Sequence, residues 1–309
     1  MDRVSTSGLY GSVLANLTMA QNAQVTASTQ ISSGKKATDL RGFGGVSETL
    51  TAMQSVQSQV TSFLDQSNLL ANKLTMQDSA MTQLGTAAQS TSKAIADALA
   101  SGDGSTLMQS LGGNFQDAVS ALNTTYNGEY IFAGGQVNTK PVTAAGLADL
   151  AAPATVAGVF ANDQHPATSQ INGNTTLQTG FLADQLGSPL FGALKSIEDF
   201  SQSVGAFTGR LTEAQKTFLQ GQLAAIQSAT AGVTNLTAQN GLTQKQVDSN
   251  ITSLTDRQTS LTGLIGNMSD ADLAQASTSL ATAQQAIQAS AQVFQTLRNS
   301  SLVNLLPIA

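Results

Sequence analysis

The C-terminal stretch of the chain decides the fold: it is MSDADLAQASTSLATAQQAIQASAQVFQTLRNSSLVNLLPIA, from Met268 to Ala309. Apolar residues recur in it every seven positions, which predicts a helix with a narrow packing stripe. The stripe consists of Leu273, Leu280, Ile287 and Phe294, with Ala276, Ala283, Ala291 and Leu297 beside it. Ser269 and Asp272 are predicted to cap the start of this helix as a capping box. Its charged residues are Asp270, Asp272 and Arg298. A helix with so little charge is predicted to pack against partners on more than one side.

The composition of the whole chain also favours a surface that is packed against other surfaces. Charged residues make up 10% of the 309 residues and aromatic residues 5%, and the chain has neither Cys nor Trp. Soluble domains commonly contain about 25% charged residues. Gln, Ser, Thr and Asn take the place of the missing charges, so the surface stays polar without repelling copies of itself.

Several classes of function are excluded by charge and composition. A net charge of −6, with only Lys35, Lys36 and Arg41 close together, argues against nucleic acid. The absence of Cys excludes disulfides and thiolate chemistry. No run of about 18 apolar residues occurs, and the first residues lack an apolar signal core. We therefore expect a soluble protein, or one that leaves the cell without a cleaved signal, and no binding to membranes.

A first helix is predicted near the N-terminus, and it has the same character as the last. The stretch from Tyr10 to Ile31 has helical apolar spacing and no charged residue. The apolar positions are Tyr10, Val13, Leu17, Ala20, Ala27 and Ile31. The segment SGKKATDLRGFGG, Ser33 to Gly45, then breaks the helix, and Gly34 is suited to a left-handed cap.

Long helices are predicted to follow, interrupted by one segment that lacks helical spacing. Helical spacing runs from Val46 to Leu99, which would be about 80 Å long, and again from Leu107 to Tyr126. YNGEYIFAGG, Tyr126 to Gly135, predicts an Asn-Gly turn with a short strand. Gln136 to Leu190 holds four of the five prolines and predicts short strands and loops. Helical spacing returns from Phe191, with Gly241 predicted to interrupt it.

The predicted fold is mainly α: an elongated antiparallel helical rod made from both chain ends, with a small β-rich inserted domain at its tip. Residues 1–40 and 266–309 would form terminal helices that stay disordered until assembly, because their stripes need more than one partner. Residues 41–135 and 191–265 would form the rod, and residues 136–190 the insert.

No residue pattern in the chain predicts catalysis, a cofactor or a metal ion. His165 is the single histidine and precedes a proline in a polar loop, where a surface role is the simpler interpretation. The acidic pairs Glu198 with Asp199 and Asp270 with Asp272 lie at helix starts, where helix electrostatics explains them. The chain is therefore predicted not to be an enzyme.

Five stretches of the chain resemble the bacterial flagellin superfamily, and within it the family of hook-associated protein 3. The N-terminal stretches are VSTSGLYGSVLANL, from Val4, and TQISSGKKATD, from Thr29. YNGEYIFAGG is similar to the mark that this family carries between rod and insert, and MSDADLAQASTSLATAQQAIQAS and SLVNLL resemble its C-terminus. The chain departs from the family pattern at Thr38 to Gly42, where an acidic pair is usual, and at Pro307 to Ala309, which extend past the usual end.

The resemblance implies a secreted structural protein of the extracellular bacterial flagellum. It would be exported unfolded, with an export chaperone, and would fold as a ring of copies between the first hook-associated protein and flagellin. The residues expected to carry contacts between copies are Val13, Leu17, Ile31, Leu280, Ile287, Phe294, Leu297, Leu302 and Leu305.

Alternative functions remain open at the level of the sequence. A flagellin that forms the filament itself is the nearest, although the terminal pattern typical of flagellins is absent from Ala291 to Leu305. A component of a type III secretion needle or translocator would share the helical ends but not YNGEYIFAGG. An enzyme or adhesin carried by the insert is supported only by His165 and by the texture of the insert.

Overall fold

The computed structural model describes residues 6–299 and consists mostly of long helices. The helices are α1 (Thr6–Ser33), α2 (Ser47–Ser101), α3 (Leu107–Leu122), α4 (Ala148–Ala151), α5 (Ala183–Ser203), α6 (Glu213–Ser269) and α7 (Leu273–Asn299). Short 3₁₀ helices cover Leu40–Val46 and Val156–Val159. The predicted fold class is confirmed: both chain ends supply long helices, and a small strand-containing region lies between them. The helix predicted from Val46 to Leu99 is α2, within two residues at each end.

The contacts divide the chain into two compact units. One takes in the described residues up to Thr61 and from Asp256 onward, and the other takes in Ser62–Thr255. Both boundaries fall inside a long helix, α2 or α6, and not in a loop. The three-region division predicted from the sequence stays a prediction.

The unit from Ser62 to Thr255 has a large apolar core. In α6 the buried positions recur every seven residues, and in α2 they alternate at three and four, as expected for two helices packed along their length. Helices α3 and α5 pack against one another. Phe115 and Phe191 are fully buried, with ring centroids 4.9 Å apart, and Phe160 stacks on Phe191 at 5.5 Å. Each such side chain contributes about 1.5–3 kcal/mol by burial, so this core holds the unit together.

The strand-containing region consists of two separate hairpins. Strands β1 (Thr125–Tyr126) and β2 (Glu129–Tyr130) pair antiparallel, and β3 (Thr168–Asn172) pairs antiparallel with β4 (Thr175–Gln178). The predicted Asn-Gly turn is confirmed, because Asn127 has φ 52° and Gly128 has φ 85°, as a type I′ turn requires.

The β3–β4 hairpin lies alongside the long helices α2 and α6. Ile171 of β3 packs in one cluster with Leu70 and Leu74 of α2 and Val247 of α6. Asn250 fixes this position, since its Nδ2 donates to the Ile171 carbonyl oxygen at 2.8 Å. The apolar side chain of Ile171 gains burial by folding back, which no local pattern in the strand reveals.

Two further expectations are corrected within the helices. Gly241 does not interrupt α6, which is continuous from Glu213 to Ser269. A helical glycine costs about 1 kcal/mol relative to alanine, and the burial of neighbours such as Val247 outweighs that cost. The strands and loops predicted up to Leu190 also end earlier, because α5 begins at Ala183 and contains Pro189. Leu186, Leu190 and Phe191 are buried on one face of α5 and hold the helix despite the proline.

Candidate assembly interface

Helices α1 and α7 pair antiparallel along most of their length. At one end the ring of Tyr10 meets that of Phe294 edge to face, with centroids 5.7 Å apart. At the other end the Ala271 N–H donates to the Gly34 carbonyl oxygen at 2.9 Å. The two stretches that the sequence marks as similar in character are therefore each other's partners within one chain.

Small side chains form the line along which the two helices meet, which we call the α1/α7 seam. It consists of Val13, Ala20, Ala27, Ala276 and Ala283, none more than 9% exposed. Three of these lie seven residues apart on α1 and two lie seven apart on α7, as packing along a helix pair requires. An alanine buries little more than one methyl group, worth roughly 0.8 kcal/mol. The seam alone therefore provides little stabilisation, and most of the surface of each helix is left uncovered.

The structure places the predicted contact residues at different depths around the seam. Val13 lies inside it, while Leu17, Leu280, Ile287 and Leu297 are half-buried at its margins. Ile31 is 38% exposed and Phe294 is 44% exposed. Leu302 and Leu305 lie outside the described residues. Contact between copies through these residues stays a prediction.

Further apolar side chains are exposed on the pair that the heptad spacing did not predict. Leu14, Met19 and Val25 of α1 are 60%, 61% and 65% exposed, and Val293 of α7 is 46% exposed. They fall outside the heptad stripe, so a search for a single stripe passes over them. Counting the apolar residues left over on the opposite faces of α1 would have found them.

An open groove of about 680 Å³ runs between the two helices. Met19, Ala20 and Ala23 line it on α1, and Ser, Thr and Ala residues between 278 and 290 line it on α7. Among the described residues, α1 has no charged side chain and α7 has one, Arg298. A helix from another chain could enter such a surface without removing a charge from water, which is the costly step in burying polar helices.

A turn after α1 holds the junction between α6 and α7, and we call these contacts the turn clasp. Gly34 adopts φ 68° and ends α1, its N–H donating to the Gln30 carbonyl oxygen. The Lys36 N–H donates to the Ser269 carbonyl oxygen at 2.7 Å, so the turn and the junction pair like two strands. Lys36 Nζ also donates to the carbonyl oxygens of Asn267 and Met268, where α6 ends. A cation there is favourable because the last carbonyls of a helix lack partners.

Lys35 adds an ion pair to the turn clasp. Its Nζ contacts Asp270 Oδ1 and lies 3.3 Å from Ser269 Oγ. The hydrogen bond from Lys35, with a second from the Ser269 hydroxyl, holds the pKa of Asp270 below its ordinary value. In the sequence, Lys35 and Lys36 are recognisable only as neighbouring basic residues, since their partners lie more than 230 positions away.

The predicted capping box at the start of α7 is corrected in one member. Asp272 does cap the helix: its Oδ1 accepts from the N–H groups of Ala274 and Gln275, and its carbonyl oxygen accepts from Ala276 N–H. Ser269 instead ends α6, is 4% exposed, and donates its hydroxyl to Asp270. The reason is the pairing of residues 269–271 with the turn clasp, which leaves Asp272 next to the first free N–H groups.

His165 lies at the surface of the other unit. Its side chain is 89% exposed, and its Nδ1 is 3.6 Å from Asp163 Oδ2. Asp163 Oδ1 accepts from the backbone N–H groups of His165 and Gly135, and these bonds lower the pKa of Asp163. A side chain placed on Gly134, which has φ 68°, would collide with this carboxylate. The Asp163 carboxylate therefore connects the loop around His165 to Gly135, the last residue of YNGEYIFAGG.

Metal and membrane sites are not found in the part of the chain that the structure describes. Residues 6–299 contain no group of three His, Asp or Glu side chains placed to hold a metal ion. No helix in the same range is both long and apolar enough to cross a bilayer.

Comparisons with known proteins identify both ends of the chain. Residues 4–137 match the model of the bacterial flagellin N-terminal helical region, and residues 223–306 match that of the bacterial flagellin C-terminal helical region. Together the two matches cover well over half of the chain. No curated protein matched the sequence.

Solved structures share the fold at low sequence identity. A structure described as a flagellar hook-associated protein from Vibrio parahaemolyticus has a TM-score of 0.59 at 14% identity, covering 72% of this chain and 97% of that one. FlgL from Bacillus cereus has a TM-score of 0.52 at 17% identity, covering 70% of this chain and 97% of that one.

Proposed function

The chain belongs to the bacterial flagellin family, and on that premise we propose that it is the structural subunit that joins the flagellar hook to the flagellin filament. The observation that carries the proposal is the exposed, almost charge-free surface of the α1/α7 pair. Two structures with the same fold over 97% of their length carry hook-associated names, which favours the junction over the filament.

The partner of this surface is a further copy of the same helix pair. Interfaces between proteins are depleted in charged residues at their centre, and the described parts of α1 and α7 have that composition over most of their area. Leu14, Met19 and Val25 would be covered by a neighbouring copy. A closed ring of copies satisfies every such face, because each copy presents one surface and receives another.

The remaining partners follow from the position of such a ring. The first hook-associated protein would lie on its hook side and flagellin on its filament side, and an export chaperone would hold the chain before it leaves the cell. The protein would act outside the cell, as part of the flagellum. Its terminal helices would become fully ordered only on assembly, when neighbouring copies cover what the α1/α7 seam leaves exposed.

Exchange of one exposed valine tests the proposed interface. Val25→Glu should prevent addition of the protein to hook ends, because a carboxylate would be buried without a partner. Val204→Glu is the matched control, since Val204 is 66% exposed and Val25 is 65% exposed, and it should leave addition intact. Electron microscopy of hooks incubated with each purified variant gives the readout. Equal addition by both variants would contradict the proposed interface.

Removal of Met268–Ala309 tests the assembly function more broadly. A chain without this segment should no longer add to hook ends, because α1 loses its partner. If the shortened chain still assembled, the whole assignment would be wrong.

Polymerisation of the purified protein separates the junction role from that of a filament subunit. A junction subunit should stay monomeric until hook ends are supplied, whereas long filaments formed by the protein alone would favour flagellin. Immunogold labelling tests the alternative of a needle or translocator component. Label on flagella favours the junction role, and label on secretion needles favours the alternative.

A further inference from the structure

Two fully buried amide side chains interrupt the apolar packing of α2 against α6. Gln77 and Asn240 are both 0% exposed. They occupy positions of the heptad stripes that Leu70, Leu74 and Met81 hold on α2 and that Val233 and Val247 hold on α6. A glutamine or asparagine at such a position is costly unless its amide is satisfied.

The antiparallel alignment of the helices places the two amides at one level. The Leu74 carbonyl oxygen accepts from Asn240 Nδ2 at 3.0 Å and from Gln244 Nε2 at 3.1 Å. Further along α2, a Cβ on Gly85 would lie 3.8 Å from Val233 Cγ1. Gln77 lies between Leu74 and Gly85 on α2, so it faces the part of α6 next to Asn240. We call these two residues the polar layer.

The polar layer is incompletely hydrogen-bonded by the protein. Asn240 Nδ2 has Leu74 and, at 3.5 Å, Asp78 Oδ1 as acceptors. Asn240 Oδ1 and both polar atoms of Gln77 have no hydrogen-bond partner within residues 6–299. One amide NH2 group and two amide oxygens therefore lack a hydrogen-bond partner in the protein. Water donates and accepts hydrogen bonds, and buried waters typically make about three with such groups.

The polar layer also separates two apolar clusters of the unit from Ser62 to Thr255. The larger cluster begins on α2 at Ala80 and on α6 extends to Val233. The smaller one joins Leu70 and Leu74 to Val247 and to Ile171 of the β3–β4 hairpin. A segment with few apolar contacts of its own, set apart from the main core, is the kind that opens by itself.

We propose that the polar layer holds internal water and forms a boundary at which one end of the unit opens independently of the main core. The opening part consists of residues 62–76 of α2, residues 241–255 of α6 and the β3–β4 hairpin. Water at the layer provides substitute hydrogen bonds when the helices separate, so opening stops there and does not spread into the larger cluster.

Hydrogen exchange of the full-length monomer, followed by mass spectrometry, tests the boundary. Amides of residues 62–76 and 241–255 should exchange at least about tenfold faster than those of residues 80–98 and 219–233. Equal protection on both sides of the layer would overturn the proposal without any variant.

A double substitution tests whether the polar layer causes the boundary. Gln77→Leu with Asn240→Leu removes the unsatisfied groups and joins the two clusters, so exchange in residues 62–76 and 241–255 should slow by about tenfold. Gln89→Leu with Gln239→Leu changes exposed amides on the same helices and is the control. The helical content by circular dichroism checks that each variant folds. If the layer variant folds and the exchange difference persists, the layer does not form the boundary.

A crystal structure of the full chain that resolves ordered water gives an independent readout. Water should lie within hydrogen-bond distance of Gln77 Nε2 and Asn240 Oδ1. A dry polar layer would overturn the proposal.

Discussion

Asp163 shows how one side chain shapes the loop beside it. Its carboxylate accepts from the backbone N–H groups of His165 and Gly135, and the first of these is the largest cause of its lowered pKa. A carboxylate whose folded-state pKa is depressed stabilises the protein above the pKa it has when unfolded. That stabilisation is lost as the pH falls through the folded value, which lies below the ordinary 3.8.

We therefore expect Asp163→Asn to lower the melting temperature at pH 7 and to lower it less at pH 2, because the stabilisation by the wild-type carboxylate declines as the pH falls through its folded pKa. His165→Gln is the companion variant: it keeps the backbone N–H and should behave like the wild type at both pH values. Scanning calorimetry at the two pH values measures both. A large effect of His165→Gln at pH 7 would show that the imidazole itself matters and would revive a functional role for His165.

At the residue scale, the sequence was informative where cause and effect are neighbours in the chain. Asp272 was correctly predicted as a helix cap, and Asn127 with Gly128 as a turn. A further capping box at Thr212 and Gln215, which the structure shows as two reciprocal hydrogen bonds, was readable but was missed. The turn clasp could not be found this way, because Lys35 and Asp270 are 235 positions apart.

Helix α5 depends on one close approach to its neighbours. A Cβ on Gly187 would lie 2.7 Å from Leu122 Cδ1 and 3.1 Å from the ring of Phe160. Only glycine lets the helix pack this near, and Phe160 in turn stacks on Phe191 in the core. The position of α5 thus depends on residue 187 having no side chain.

We expect Gly187→Ala to lower the free energy of unfolding by about 1–3 kcal/mol, since it forces overpacking of a dense core. Gly192→Ala is the matched control in the same helix. A Cβ there meets no atom within 4 Å, so the loss of chain entropy in the unfolded state should stabilise by about 0.5–1 kcal/mol. Urea unfolding followed by circular dichroism measures both, and a stabilising Gly187→Ala would refute this account of the packing.

The seam between α1 and α7 gives a second prediction for paired elements. Ala283 is 4% exposed and Ala281 is exposed on the same helix. Ala283→Leu should drive the helices apart at a cost of about 1–3 kcal/mol, so the helix pair of the purified monomer should melt at a lower temperature when followed by circular dichroism. Ala281→Leu should change the free energy of the seam by less than about 0.5 kcal/mol. Equal melting temperatures for the two variants would show that the seam does not need small residues.

At the element scale, strong periodicity predicted well and packing between distant segments did not. The heptad spacing of α2 gave its bounds within two residues. Gly241 and Pro189 misled because local propensity was outweighed by burial, as at Phe191. The position of the β3–β4 hairpin depends on Ile171 reaching Val247, and nothing in the strand itself specifies that contact.

On the scale of the whole molecule, the two units differ in how they are stabilised. The unit from Ser62 to Thr255 contains both apolar clusters and all of the buried phenylalanines. The other unit buries Leu50 and Val60 of α2 and the small side chains of the α1/α7 seam, and the ion pair of its turn clasp is about half exposed. The predicted class of fold could be read from helix spacing, whereas the boundary inside α2 could not, since the spacing continues across it.

A chain restricted to residues 62–255 should therefore fold by itself. We expect a single main calorimetric transition within a few degrees of that of the full chain, because burial of the larger cluster is intact. The complementary variant is the full-length chain with Leu111→Ala in that cluster. It should lose about 2–5 kcal/mol of unfolding free energy, so that the same transition occurs at a lower temperature. The absence of any cooperative transition in residues 62–255 would mean that the terminal helices are needed for the core.

The pairing of the first helix with the last also has a consequence in time. Ribosomes add about 5–20 residues per second, and α1 is complete when Ser33 has been added, whereas α7 begins only at Leu273. The first helix therefore waits roughly 10–50 seconds for its partner during each round of synthesis. During that interval its uncharged, apolar residues are available to other nascent chains. The risk of aggregation before the pair forms therefore increases with every residue inserted between the two ends.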